Sequence, residues 1–135
     1  MKTFDVQTIE INMPCDPVFE FISDAQRLPE WTNAFKSVSD GRALLETPNG
    51  SVEVKLEVRA ARSQGTVDWA ITFPDGSVAR AYSRVVAKDK ESSLYSFLLM
   101  APPVPLEQLE GALDAQSQIL REELRKLGEI LSGKG

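Results

Sequence analysis

Val52-Glu53-Val54-Lys55-Leu56-Glu57-Val58-Arg59 alternates apolar with charged residues throughout. A period of two puts Val52, Val54, Leu56 and Val58 on one face and the charges on the other, the signature of a strand with one dry side. The same period continues downstream in Val67, Trp69, Ile71 and Phe73, then through 77–87 and 92–100. Upstream, 35–39 and 42–47 flank Asp40-Gly41, a strong two-residue hairpin signal. Turn chemistry recurs at Pro48-Asn49-Gly50, Arg62 to Gly65, Asp75-Gly76 and Lys88 to Glu91. Six antiparallel strands in a meander follow.

On either side the period changes. Thr3 to Asn12 is rich in β-branched residues and reads as a first strand. Phe4 and Val6 have one parity and Ile9 and Ile11 the other, so a bulge near Thr8 is expected. Two short helices come next: one after Asp16 as cap with Pro17 in the first position, and one over Ala25 to Trp31 behind Ser23-Asp24. Ala101-Pro102-Pro103-Val104-Pro105 ends the sheet, because proline cannot donate to a ladder. From Leu106, leucines at 109, 113, 120, 124, 127 and 131 make one stripe of a long helix. The only large apolar surface able to bury that stripe is the sheet. The class is therefore α+β: a curved seven-stranded antiparallel sheet wrapped around a long C-terminal helix, with two short helices between strands 1 and 2. The length of 135 residues is that of one domain, 1–135.

Composition removes several functions. The chain has no histidine and one cysteine, so Ser-His-Asp or Cys-His catalysis, His-ligated zinc, an internal disulfide and a Cys-x-x-Cys redox pair are excluded. Fifteen basic against twenty acidic residues leave a net charge of −5, which opposes sequence-independent nucleic-acid binding. No apolar run is long enough to span a bilayer and the first residues lack a signal-peptide core, so a cytoplasmic protein is expected. No metal or organic cofactor is expected.

The segment Ile9-Glu10-Ile11, Pro14, Asp16, Val18-Phe19-Glu20-Phe21-Ile22-Ser23-Asp24 and Leu28-Pro29-Glu30-Trp31, with the terminal helix, resembles the START-related, Bet v 1-like (SRPBCC) superfamily. Within it the chain is most similar to polyketide cyclase/dehydrase-like members, over its whole length. The resemblance implies a helix-grip fold with a cavity between sheet and helix. It implies a small hydrophobic or aromatic ligand, lipid or polyketide-like; the alternatives are a cyclase/dehydratase-type enzyme needing no metal, and a protein interaction module.

The turns assign candidate residues to that cavity. The Arg62 to Gly65 connection sets Ala60 opposite Val67, Val58 opposite Trp69 and Leu56 opposite Ile71. The Asp75-Gly76 turn sets Phe73 opposite Val78, Ile71 opposite Arg80, Trp69 opposite Tyr82 and Val67 opposite Arg84. On this register the ligand-binding set is Trp31, Val54, Leu56, Val58, Trp69, Ile71, Arg80, Tyr82, Arg84, Phe97, Leu113 and Gln116. Tyr82 and Arg84 are the candidate catalytic pair, one polarising a carbonyl and the other fixing an anion. A one-residue slip would instead bring Ala79, Ala81, Ser83 and Val85 inward, and both parities remain open. Trp31 either lines the mouth or plugs the core. Gln116 meets either a ligand or solvent at the border of the stripe. Cys15 fills a small-residue slot, and no carboxylate pair stands out for acid/base work. The outer parity of the last strand also looks apolar, which leaves homodimerisation open.

Overall fold

A computed structural model describes residues 4–47, 50–100 and 106–132; the side chains of residues 47 and 106–113 are outside that description. Seven strands, β1 (Phe4–Ile11), β2 (Phe35–Ser39), β3 (Arg42–Thr47), β4 (Gly50–Ala61), β5 (Thr66–Thr72), β6 (Val78–Ala87) and β7 (Ser93–Met100), form one sheet. Its order is β1-β7-β6-β5-β4-β3-β2, antiparallel throughout. The meander therefore runs from β2 to β7, and the first strand pairs with the last.

Helix α1 (Cys15–Ser23), a 3-10 turn (Ala25–Arg27) and helix α2 (Leu28–Trp31) connect β1 to β2. Asp24 accepts a hydrogen bond from the Gln26 amide at 3.1 Å, the expected second cap. The first helix begins earlier than expected, with Pro14 at its cap and no capping side chain, so Asp16 and Pro17 lie inside the first turn.

Helix α3 (Leu106–Ser132) packs chiefly on β1 and α2. Leu120, Leu124, Leu127 and Leu131 are buried in one core with Ile11, Val18, Ile22, Trp31, Val54, Val67 and Tyr95. Three polar clasps hold the helix against β1, the residue that follows it and the α2–β2 link. Gln7 Nε2 donates to the Ser117 carbonyl at 2.9 Å, the Asn12 amide to Ser132 Oγ at 2.9 Å, and the Asn33 amide to Glu123 Oε2 at 2.6 Å. Among the described residues no helix is long and apolar enough to cross a membrane.

Two turns show how register is set. At Asp40-Gly41 both residues have positive φ, 52° and 76°, and Ser39 pairs with Arg42: the two-residue hairpin that the sequence predicts. At Asp75-Gly76 the outcome differs. Phe73 closes the loop by bonding through its amide to the Ser77 carbonyl at 2.9 Å, and the Gly76 amide returns to the Phe73 carbonyl at 2.9 Å. Three residues, Pro74, Asp75 and Gly76, form the loop, with Gly76 at φ 91° as the left-handed residue that such a loop needs. Asp75 Oδ1 holds the turn by accepting from the Ser77 amide at 2.9 Å and from its hydroxyl at 2.7 Å. The extra loop residue moves the β5–β6 pairing by one position. The expected bulge at Thr8 is also absent: β1 pairs with β7 without interruption from Phe4↔Met100 to Ile11↔Ser93. Phe4 and Val6 accordingly remain on the outer face, 48% and 52% exposed.

Candidate functional site: a hollow over two alanines

The β4–β5 register is as expected, with Leu56↔Ile71, Val58↔Trp69 and Ala60↔Val67. The β5–β6 register is the slipped one: Ile71↔Ala79, Trp69↔Ala81 and Val67↔Ser83, with Asp68↔Tyr82 and Thr66↔Arg84 on the opposite face. Because successive side chains alternate, one position exchanges the entire strand face. Ala79, Ala81, Ser83 and Val85 point toward the helix. Arg80, Tyr82 and Arg84 point away.

That exchange makes the hollow. Ala81 sits between Trp69 on β5 and Leu99 on β7, and Ala79 sits beside Ile71. Two methyl side chains stand in the middle of the sheet where the neighbouring strands carry large ones. Among the described residues, α3 rests chiefly on β1 and α2 and leaves a gap above β5, β6 and β7. The resulting cavity measures about 260 Å³. Trp69, Ile71, Phe97, Leu99 and the two alanines form its floor; Phe35 and Leu45 form a side; Leu28, Trp31, Thr32, Gln116 and Glu123 face them from the helices and the α2–β2 link. Trp69 stacks on Phe97 with centroids 5.6 Å apart and planes at 25°. Offset aromatic pairs of this kind contribute about 0.5–1.5 kcal/mol beyond their burial.

Of the sequence-predicted residues, Trp31, Trp69, Ile71, Phe97 and Gln116 border the hollow. Val54 and Leu56 are buried in the core on the same sheet face, and Val58 is half-buried against it; none of the three is on the cavity wall. Leu113 lies outside the residues whose side chains are described. Tyr82 and Arg84 require correction. Tyr82 is 37% exposed on the outer face, and Arg84 is exposed with its Nε donating to the Gln64 carbonyl at 3.0 Å. Neither side chain reaches a molecule in the hollow. Arg80 borders the hollow, but its side chain is exposed and its strand parity is outward, so it is not a buried cation in search of an anion. Arg80 and Tyr82 share a smaller, more polar depression with Glu57, Arg59 and Asp68 on the outer face.

Two polar wall residues, Thr32 and Glu123, have no counterpart in the sequence reading. Glu123 is partly buried and touches the hollow, and its carboxylate accepts the Asn33 amide. Burial raises its pKa above the ordinary 4.5, against the opposing pull of the Asn33 amide and Lys126. The spacing Gln116, Leu120, Glu123, Leu127 could have found it, since steps of four, three and four share one helix face. Tyr95 is fully buried in the core rather than on the wall, and burial holds its hydroxyl far above the usual tyrosine range. Among the described residues no three Cys, Asp or Glu side chains converge as metal ligands would.

Similar solved structures share this fold. A START superfamily protein from Mycobacterium smegmatis superposes with a TM-score of 0.67 at 17% identity, over 96% of this chain and 99% of that one. The fold is therefore the helix-grip fold. An uncharacterised protein from Bacillus thuringiensis has the same helix-grip fold, with a TM-score of 0.71 at 18% identity over 95% and 98% of the two chains. The di-domain ARO/CYC StfQ from the steffimycin biosynthetic pathway matches with a TM-score of 0.71 at 10% identity; this chain is covered to 95% and spans 45% of that one. No family model and no curated protein sequence matches the chain. At these identities the likeness concerns the helix-grip fold and not the chemistry.

Proposed function

We propose that the protein binds a small hydrophobic or aromatic molecule in the hollow between the sheet and α3. The observation that carries this reading is the hollow itself, a space of about 260 Å³ with a wall that is aromatic and aliphatic apart from a few polar groups. Its size lies just under the roughly 300 Å³ at which ordinary small-molecule pockets begin, so the guest is small, of two or three rings. The START superfamily protein and the aromatase/cyclases among the similar structures support the same reading.

A thermal-shift screen with fatty acids, flavonoids and aromatic polyketides tests it. A ligand present at about 100 times its Kd adds about 2.7 kcal/mol to stability. For a domain of this length that raises Tm by roughly 5–15 °C. Ala81→Leu places a branched side chain in the hollow, and the variant is expected to fold and to lose the shift. A panel with no shift, or a shift unaffected by Ala81→Leu, contradicts the reading.

A second reading, a cyclase/dehydratase-type enzyme, is favoured by one observation: Glu123 brings a carboxyl of raised pKa to the wall. Such a group can hold or deliver a proton. This reading expects Glu123→Gln to abolish turnover of a bound poly-β-ketone while leaving its affinity within about threefold, a change of roughly 0.7 kcal/mol or less. Equal turnover in both proteins removes Glu123 from the chemistry.

A further inference from the structure

Helix α3 brings one carboxylate to the wall of the hollow and leaves half of it unused. Glu123 Oε2 accepts the Asn33 amide at 2.6 Å. Its Oε1 meets no donor among the described residues and is not sealed within the protein. Among those residues no lysine or arginine forms an ion pair with it; Lys126, on the same helix, acts on it only at longer range. A half-buried carboxylate in that position lacks a counter-ion, and drawing a charge out of water without one is costly. That cost is what makes Glu123 hold a proton more firmly than an ordinary glutamate.

The rest of the wall narrows what could supply the missing charge. Of its two charged residues, Arg80 is exposed with outward strand parity, and only Glu123 is half-buried. Gln116 and Thr32 are neutral and do not select for charge. Trp31, Phe35, Trp69, Phe73 and Phe97 contribute aromatic rings, and the stacked Trp69–Phe97 pair offers flat faces to an aryl body. The faces of such rings also attract a cation. The net charge of −5 adds to the same preference and opposes an anionic guest.

We infer that the guest of the hollow is a small arylalkylamine, its rings lying along Trp69 and Phe97 and its ammonium group paired with Glu123 Oε1. This rests on the reading of the hollow as a ligand site and specifies its chemistry. A neutral alcohol of the same shape fills the space and donates a hydrogen bond, but it leaves the carboxylate without a counter-ion. An acid of the same shape adds a second negative charge beside it.

The test measures, by calorimetry in mildly alkaline buffer, the binding of 2-(1-naphthyl)ethylamine, 2-(1-naphthyl)ethanol and 1-naphthylacetic acid, which share a ring system and differ in charge. The amine is expected to bind about tenfold more tightly than the alcohol, a charge-assisted hydrogen bond exceeding a neutral one by about that factor, and the acid most weakly. Glu123→Gln is expected to bring the amine to within about threefold of the alcohol, while alcohol affinity stays within about twofold of wild type. Glu122→Gln removes the same charge from an exposed neighbour and is expected to keep the preference. Ala81→Leu is expected to abolish binding of amine and alcohol alike. A preference that survives Glu123→Gln, or that falls equally in Glu122→Gln, overturns the inference, as does amine binding that survives Ala81→Leu. Should Glu123→Gln fail to fold, the three wild-type affinities and the other two variants decide. Equal affinities for amine and alcohol, both lost in Ala81→Leu, overturn the ammonium inference and leave the hollow as an apolar site. Binding of none of the three overturns both.

Discussion

Glu123 is the residue at which the helix surface and the cavity chemistry meet. Its carboxyl holds a proton more firmly in the folded chain than in the unfolded one. The folded state therefore binds more protons than the unfolded state between the two pKa values, and stability falls as pH rises from about 4.5 through the folded value. Glu123→Gln keeps an oxygen for the Asn33 amide and removes the titration. The variant is expected to match or exceed wild-type Tm at pH 7 and to lose that advantage near pH 4, as read from paired melting curves across pH. Gly65 poses a backbone question instead. It has φ 75°, and a Cβ there would stand 2.2 Å from the Val85 carbonyl oxygen. Gly65→Ala is expected to cost well over 1 kcal/mol in denaturant unfolding. The turn at Gly65 is legible in the sequence, and so is the helix face that carries Glu123, through its spacing with Gln116, Leu120 and Leu127. Its enclosure is not, since that depends on the approach of the α2–β2 link.

Among the elements, the β5–β6 hairpin decides what the cavity contains. Asp75-Gly76 alone is compatible with a two-residue or a three-residue loop, but Pro74 has no N–H with which to close the shorter one against Ser77, so the closure moves to Phe73. The Asp75 bonds to Ser77 then hold the longer loop. Both faces of β6 look plausible in sequence, because its arginines and Tyr82 alternate with alanines and Ser83 rather than with large apolar residues. The β4–β5 pairing is legible because Val54, Leu56, Val67 and Trp69 leave one face for the core. The terminal helix is legible for the same reason, and its leucines give a direct check. Leu124 and Leu127 are fully buried, so Leu124→Ala or Leu127→Ala should destabilise the chain by about 2–5 kcal/mol. Ile119→Ala, at a side chain 45% exposed on the same helix, should stay near 0.5 kcal/mol or below.

At the scale of the molecule, a sheet curled under a helix seated toward β1 leaves room where β6 carries alanines. The outer face offers a competing greasy surface. Val6, Leu98 and Tyr82 lie in register across β1, β7 and β6, with Val6 and Tyr82 exposed. A hydrophobic compound can bind either place, so affinity alone does not separate them. The most direct measurement is a crystal structure of the protein with the aromatic compound that gives the largest thermal shift in the screen. The account predicts ligand density inside the hollow, against Trp69 and Phe97 on one side and Trp31 on the other. Density on the outer face at Val6, Leu98 and Tyr82, with Ala79 and Ala81 covered by protein side chains, would contradict it.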